Sequence, residues 1–113
     1  MANIFVNKKV DLTTDANTTL YTVPTATTAI IKSILVSDDS GSGSGITITL
    51  TNTSDAVFSV AFQKPILANP PTEILTNPLV AEAGEIIKVA AANANRLHVI
   101  LSAMQVTPRT VVT

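Results

Sequence analysis

The chain has 113 residues, enough for one domain with a buried core, and no cysteine, which excludes disulfide bonds and thiolate metal sites. Its seven basic and eight acidic side chains give a net charge of −1 without clusters of either sign, which argues against a nucleic-acid-binding surface. The first ten residues lack the apolar stretch of a signal peptide, and no apolar run of about 18 residues predicts a membrane span. We therefore expect one domain over residues 1–113, made in the cytosol, with neither nucleic acid nor a membrane as partner.

The expected surface of this domain is unusually poor in charge. Only 13% of the residues are charged, compared with about 25% in an average domain, while 46% are hydrophobic. Such a surface suits a subunit covered by neighbouring molecules better than a free monomer at high concentration, so we expect self-association. The alternative interpretation is a threonine-rich monomer that its hydroxyl groups keep in solution.

Short runs rich in threonine, valine and isoleucine, separated by proline, glycine, asparagine and aspartate, predict strands along the whole chain. In chain order the candidates are "NIFVN", "VDLTT", "TLYTVP", "TAIIKSILVS", "ITITLTN", "VFSVAFQ", "TEILT", "EIIKVAA" and "RLHVILSAMQV". Eight or nine short strands at a spacing of about ten residues are typical of a sandwich or barrel. We predict an all-β fold consisting of a single antiparallel β-sandwich, of jelly-roll or immunoglobulin-like type.

Alternation of apolar and polar side chains predicts the buried face of two of these strands. In "ITITLTN" the threonines fall on one face and the aliphatic residues on the other, namely Ile46, Ile48 and Leu50. In "VFSVAFQ" the larger apolar residues also share a face, namely Phe58, Val60 and Phe62. The polar segment "TNTSDA" between the two strands predicts a hairpin loop.

Three segments do not show a simple alternation. In "RLHVILSAMQV" both faces are partly apolar, which predicts a central strand covered on both sides. In "TAIIKSILVS", Ile30 and Ile31 are adjacent, so both reach the core only if a bulge intervenes or both faces are covered. The segment "AEAGEIIKVAAANANRL" has the composition of a helix, but Gly84 and the asparagines near its end favour a strand over 85–90 and a turn over 93–95.

Prolines mark where central strands are not expected. Pro24 ends the third candidate strand, and "KPILANPPTEILTNP" contains four more prolines. Because proline cannot donate to a ladder, this middle region predicts loop and edge strand, long enough to protrude as a contact element. We also expect possible contact arms at 1–16 and 107–113, where "RTVVT" either adds a strand to a neighbour's edge or is a frayed terminus.

The segment "SDDSGSGSG", residues 37–45, holds three of the four glycines and two adjacent aspartates, as a ligand-binding loop would. A calcium loop needs oxygen ligands at alternate positions, which Asp38, Asp39 and Ser40 do not provide. A phosphate loop leads into a helix N-terminus, whereas Gly45 leads into a strand. We interpret the segment as a flexible connection with the aspartates at a solvated strand end, and expect no metal or cofactor site.

No catalytic residues are predicted. His98 is the single histidine, and Ser102 on the same face lies roughly 13 Å further along an extended strand, too far to act with it. Catalysis would require a pocket that holds His98 with a carboxylate within hydrogen-bonding distance. Candidates for a glycosidase pair lie mostly in predicted loops without aromatic residues nearby: Asp11, Asp15, Asp38, Asp39, Asp55, Glu73, Glu82 and Glu85.

Binding or attachment of sugars is also poorly supported. A sugar-binding face would need aromatic platforms, and the chain has no tryptophan and a single tyrosine, Tyr21. The glycosylation sequons at Asn17 and Asn52 are interpreted as chance matches, because no secretory signal accompanies them in a threonine-rich chain.

Two segments carry a resemblance to a protein family. "TTLYTVPTATTAIIKSILVSD" resembles the small virion structural proteins of tailed bacteriophages, in which a "TLYTVP" strand is followed by a short turn and a "TAIIKSI" type strand. "PLVAEAGEIIKVAAANANRLHVILSAMQV" is similar to the second half of that family, in which a leucine strand leads through a glycine and an acidic residue into two further strands. The resemblance covers residues 18–106. It departs from the usual pattern at Thr25 and Ala26, in a turn where glycine is common, and at Glu85, where aspartate often follows the glycine.

The resemblance implies a compact β-sandwich that decorates or cements a capsid, with no catalytic residues to carry over. Its partners would be the major capsid protein or other virion proteins, and its location the virion, assembled in the host cytoplasm. A tail or neck component is the first alternative. A glycan-binding module at the tail tip is the second, and an enzyme is not expected.

Overall fold

The computed structural model describes residues 2–38, 40–67 and 71–107, and within them the chain forms two antiparallel sheets that pack together. The strands are β1 (Ala2–Leu12), β2 (Thr18–Thr22), β3 (Thr28–Asp38), β4 (Ser44–Thr51), β5 (Val57–Ile66), β6 (Thr72–Glu73), β7 (Leu79–Ala81), β8 (Ile86–Ala91) and β9 (Leu97–Thr107). The first sheet has the order β1-β9-β3-β6, with β7 also paired to β3, and the second has the order β2-β8-β4-β5. The predicted all-β sandwich is confirmed.

The strand pairs are nested, which identifies the kind of sandwich. β4 pairs with β5, β3 with β6 and β7, β2 with β8, and β1 with β9, as in one long hairpin folded about the β4–β5 loop. The hairpin is rolled up, so that β9 also pairs with β3 and β8 with β4. When β6 and β7 are taken as two pieces of one interrupted strand, this arrangement of eight strands in two sheets is a jelly roll.

Most of the predicted strands are present, with altered boundaries. "NIFVN" and "VDLTT" are parts of one continuous strand, β1, which pairs with β9 along its full length. "TEILT" is reduced to the two residues of β6, and β7 was not among the candidates from the residue pattern, although the resemblance implied a leucine strand at this place. The turn over 93–95 is confirmed, and Asn95 has a φ of 61°, a conformation that asparagine tolerates better than most residues.

The core lies between the sheets and is almost entirely aliphatic. The aliphatic face of "ITITLTN" is confirmed, because Ile46 and Ile48 are fully buried and Leu50 packs against the same cluster. Tyr21 of the "TLYTVP" strand is also buried, and its hydroxyl accepts a hydrogen bond of 2.7 Å from Nε2 of Gln105. This bond joins β2 in one sheet to β9 in the other, so Tyr21 has a structural role between the two sheets.

The expected buried face of "VFSVAFQ" is wrong. Phe58 is 56% exposed and Phe62 69% exposed, while Val60 is partly buried. The physical reason is that β5 is an edge strand whose register against β4 shifts twice, between Ile46 and Thr49. The shift between Ser59 and Ala61 turns Phe62 to the face opposite Phe58, while Phe58 pairs with the core-packed Leu50 and is exposed at the sheet edge.

The position of β9 is as expected, but the outer faces of β9 and β3 are not covered. β9 is central, between β1 and β3, and its alternate residues Leu97 to Ala103 are buried toward the second sheet. Ile100 on its other face is exposed, so the expected cover on both sides is wrong within this chain. In β3 the register shifts between Ile31 and Ser33, and Ile31 is buried while Ile30 is half-buried on the outer side.

The turn after Pro24 contains a residue with a strained backbone. Ala26 has a φ of 55°, in the left-handed region where a Cβ atom costs about 1–2 kcal/mol and glycine does not. We expect Ala26→Gly to stabilise the domain by roughly 0.5–1 kcal/mol, since the relief of strain exceeds the added entropy of the unfolded chain. Urea unfolding measures the change. Thr25→Gly is the control, because Thr25 is not among the residues with positive φ. A destabilised Ala26→Gly variant would contradict the explanation.

Candidate interaction surfaces

The loop "SDDSGSGSG" is organised around one buried carboxylate. Asp38, at the end of β3, is only 5% exposed. Its Oδ1 accepts hydrogen bonds from the backbone N (2.8 Å) and the Oγ (2.6 Å) of Ser40, and its Oδ2 accepts one from the backbone N of Gly43. Arg96 donates from Nη1 to the carbonyl of Gly43 at 3.0 Å, which attaches the loop to the start of β9. The expectation of a solvated strand end is therefore wrong for Asp38, and Asp39 lies outside the described residues.

These contacts favour the charged form of Asp38. The Ser40 hydroxyl, followed by the backbone N–H groups of Ser40 and Gly43 and by the Arg96 guanidinium, lowers the pKa of Asp38 below its ordinary value of 3.8, although burial opposes the change. Because both carboxylate oxygens already accept bonds from the loop, Asp38 serves the fold. Within the described ranges, no group of three or more acidic or histidine side chains is placed to hold a metal ion.

Asp38→Asn is expected to destabilise the domain at pH 7, because the amide cannot accept all the bonds that the carboxylate accepts. The lowered pKa adds a pH dependence. In the wild type, the stabilisation from Asp38 is complete above the pKa of the unfolded state, near 3.8. It is lost as the pH falls through the lower pKa of the folded state. Melting temperatures at pH 7 and pH 3 measure both effects, and the gap between the variant and the wild type should narrow at pH 3. A constant gap would contradict the role of the charge.

His98 has a carboxylate partner that the strand pattern alone did not reveal. Its Nε2 lies 3.2 Å from Oδ1 of Asp11, the residue directly opposite it on β1, and Ser37 is opposite it on β3. The side chains of His98 and Asp11 are 40% and 63% exposed and line a surface pocket, so the contact that catalysis would require is present. A catalytic triad also depends on an enclosed site in which the histidine is screened from water, so this open pair is better explained as a surface contact. Ser102 pairs instead with Asn7 and Ser33.

Two of the other acidic candidates accept backbone hydrogen bonds in different parts of the sandwich. Glu73 of β6 accepts bonds from Ser33 and Ile34 on β3, and Glu85 accepts one of 2.6 Å from the N–H of Glu82. Asn52, in one of the two sequons, accepts bonds of 2.9 Å from the N–H groups of Ser54 and Ala56 and so closes the β4–β5 hairpin. The structure does not join these residues into one site.

The most distinctive surface is the outer face of the first sheet, defined as the side turned away from the second sheet. Its residues follow from the buried set on β9, because side chains alternate and directly paired residues share a face. One row across four strands is entirely apolar: Phe5, Met104, Ile30 and Val80. A second row has a charge at each end: Lys9, Ile100, Leu35 and Glu73. The outer residues of the two rows are well exposed, with Phe5 at 73% and Val80 at 55%.

A second group of exposed apolar side chains lies along β5, at the edge of the other sheet, and we call it the β5 surface. It consists of Val57, Phe58, Phe62 and Leu67, each more than half exposed, and it wraps around the edge because a register shift lies between Phe58 and Phe62. The backbone N–H of Gln63, which has a φ of 48°, donates to the Thr47 side chain on β4 at 3.1 Å. A bulged edge of this kind discourages pairing with other strands, so the β5 surface offers side chains for contact.

Neither surface was predicted as such from the sequence. The phenylalanines of β5 were assigned to the core, and the rows of the outer face depend on a register that no local pattern specifies. In the first predicted contact arm, 1–16, residues 2–12 form the strand β1. In the second, 107–113, residues 108–113 lie outside the described residues. The middle region is loop and edge strand as predicted, insofar as it is described.

Comparison with known proteins gives no further indication of function. No protein-family model matches the chain, and neither a curated protein sequence nor a solved structure matches it. In the part of the chain that the structure describes, there is no helix of the length and apolar character needed to cross a membrane.

Proposed function

We propose that the protein is a structural subunit of a tailed-bacteriophage virion, specifically a decoration protein that binds the major capsid protein and stabilises the shell. The observation that supports this most directly is the presence of two separate exposed apolar surfaces on one small domain. Monomeric soluble proteins rarely expose large apolar patches unless these bind something. Two such surfaces suit a subunit that must contact both its own kind and a different partner.

The partner class comes from the family resemblance, and the jelly roll is compatible with it. Jelly rolls occur in viral capsid proteins, but also in lectins and other proteins, so the fold by itself does not decide the function. In this proposal the protein is located on the virion, assembled in the host cytoplasm, and has no enzymatic activity. In this proposal the His98–Asp11 pair is a surface contact without a catalytic role.

We assign the β5 surface to the capsid contact. It combines two exposed phenylalanines with Leu67, at the start of the proline-rich middle region. Exposed aromatic side chains are enriched among residues that dominate protein interfaces. The bulged backbone of β5 keeps the edge from pairing with another strand, which leaves the side chains as the means of recognition.

The test is binding of the purified protein to capsids assembled from the major capsid protein of the same virus. We expect saturation at a copy number close to that of the capsid protein, and a higher temperature of shell disruption. The double variant Phe58→Ser, Phe62→Ser should bind at least ten-fold more weakly while keeping its own melting temperature. Phe5→Ser, on the outer face of the first sheet, is the matched control and should still bind.

Localisation on intact virions gives an independent test. Antibody label over the head supports the proposal. Label confined to the tail, or a low copy number set by the symmetry of the tail, would overturn the decoration role and favour a tail or neck component instead.

A further inference from the structure

We infer that the outer face of the first sheet is the interface of a symmetric dimer of this chain, with the twofold axis parallel to the strands between β9 and β3. The starting observation is the pattern of the rows. Each of these two rows, read across the sheet, is chemically similar from either end or has opposite charges at its two ends, whereas the exposed Lys32 at the register shift of β3 and the row of Asp11, His98 and Ser37 have no such match. This property is what an isologous interface requires, because each residue then meets the residue at the mirrored position of its partner.

A twofold axis that brings one sheet face onto the same face of a second copy lies in the plane between them. When the axis runs along the strands, β1 of one copy lies over β6 and β7 of the other, and β9 of one copy lies over β3 of the other. Each row of one copy then lies over the same row of the other copy. Phe5 then lies over Val80 of the second copy, and Met104 over Ile30. The row Phe5, Met104, Ile30, Val80 is therefore matched apolar against apolar along its whole length.

The second row supplies charge complementarity with the same axis. Lys9 and Glu73 stand at its opposite ends, so each lysine lies over the glutamate of the other copy, while Ile100 lies over Leu35. The Glu73 carboxylate is held in place by Ser33 and by the backbone N–H of Ile34 at 2.9 Å, which fixes the position of its charge. Between the two rows, Ser102 lies over Ser33.

The other in-plane axis, perpendicular to the strands, gives a poorer match. With the row of Ser102 and Ser33 at the centre, that axis exchanges the two rows. Phe5 then lies over Lys9, and Val80 over Glu73. An apolar side chain would cover a charge at both ends of the sheet, which costs desolvation without a compensating pair. The pattern therefore selects the axis along the strands.

The size of the face is sufficient for a specific dimer. Three strands of 11 residues and the five residues of β6 and β7, about 4.8 Å apart and at about 3.3 Å per residue, cover roughly 600 Å². Specific interfaces bury about 600–1,000 Å² on each partner, so the face reaches the lower end of this range. Face-to-face sheets commonly pack about 10 Å apart with strand directions within about 30° of each other, which keeps the rows in contact.

The absence of cysteine makes the geometry directly testable by engineered cross-links. Phe5→Cys and Val80→Cys, made as separate variants and mixed with a bifunctional thiol-reactive reagent that spans about 10 Å, the spacing of packed sheets, are expected to form a cross-linked heterodimer. Mixed Phe5→Cys and Lys9→Cys are expected not to do so, because only the rejected axis brings those positions together. Phe62→Cys, on the β5 surface, is the control for random collision.

Sedimentation of the purified protein tests the dimer itself and needs no capsid, so its outcome is distinct from that of the proposed function. We expect a mass twice the 11.8 kDa of the chain at high concentration. Phe5→Glu should sediment at the monomer mass with an unchanged melting temperature, whereas Phe62→Glu should remain dimeric. A wild-type monomer at the highest concentration, or cross-linking of Phe5→Cys to Lys9→Cys in place of Val80→Cys, would overturn the inference.

Discussion

Replacing Ile48 with alanine is expected to lower the free energy of unfolding by about 2–5 kcal/mol. Ile48 lies on the central strand β4, is fully buried and belongs to the core cluster between the sheets. The substitution removes three carbon atoms from a packed interior, and the surrounding strands cannot close the cavity without breaking their ladders. Urea unfolding followed by circular dichroism gives the value.

Phe62→Ala provides the contrast that makes this experiment informative. Replacing a core phenylalanine with alanine lowers the free energy of unfolding by about 3–5 kcal/mol. Phe62, however, is exposed on the edge strand β5. We expect a change of less than about 0.5 kcal/mol. A large loss at Phe62 together with a small one at Ile48 would mean that β5 presents its aromatic face to the core, as its alternation alone suggests.

Replacing Glu73 with alanine is the second substitution with a large expected effect, about 2–3 kcal/mol of unfolding free energy. Its carboxylate accepts bonds from the Ser33 hydroxyl, from the N–H of Ile34 at 2.9 Å and from the N–H of Leu75 at 3.2 Å. Ile34 lies between the residues of β3 that pair with β7 and those that pair with β6. At Ile34, between its pairings with β7 and β6, β3 has no paired residue on this side. The Glu73 carboxylate accepts the backbone hydrogen bond that a neighbouring strand would otherwise accept.

The control for Glu73 is another exposed carboxylate, Glu82, for which alanine should change the stability by less than about 0.5 kcal/mol. Glu73→Gln should fall between the wild type and Glu73→Ala, because its amide oxygen still accepts a bond from one donor. Hydrogen exchange of the Ile34 amide reports the local effect. Equal stability of Glu73→Ala and Glu82→Ala would show that water replaces the carboxylate at no cost.

The fold could be predicted where a strand is central and regularly paired. "ITITLTN" fits this description, so its two-residue period indicated the buried face of β4 correctly. "VFSVAFQ" has the same period, but the register shifts of an edge strand reverse its faces, and a single strand contains no information about its position in the sheet. The strength of an alternating pattern therefore does not measure how deeply its apolar residues are buried.

The interaction surfaces and the Asp38 loop depend on contacts between distant segments, which explains why they escaped prediction. Asp38 looks solvated in "SDDSGSGSG", and its burial becomes evident only when the loop folds back and Arg96 reaches Gly43. His98 and Asp11 are far apart in the chain and meet through the register of β1 against β9. Composition predicts a surface suited to association, which stays a prediction, and the location of the exposed apolar side chains follows from the sheet order.

The position of β9 has a consequence for how the protein is made in the cell. Ala2 on β1 pairs with Thr107 on β9, and the longest ladder of β3 is also formed with β9. The first sheet therefore cannot form while β9 is still inside the ribosome. Until then, β1 and β3 have emerged but lack β9, the strand with which both of them pair. Chains with such distant pairings fold slowly and are prone to aggregate before completion. Newly synthesised copies of this protein should therefore depend on chaperones until the last strand has been released.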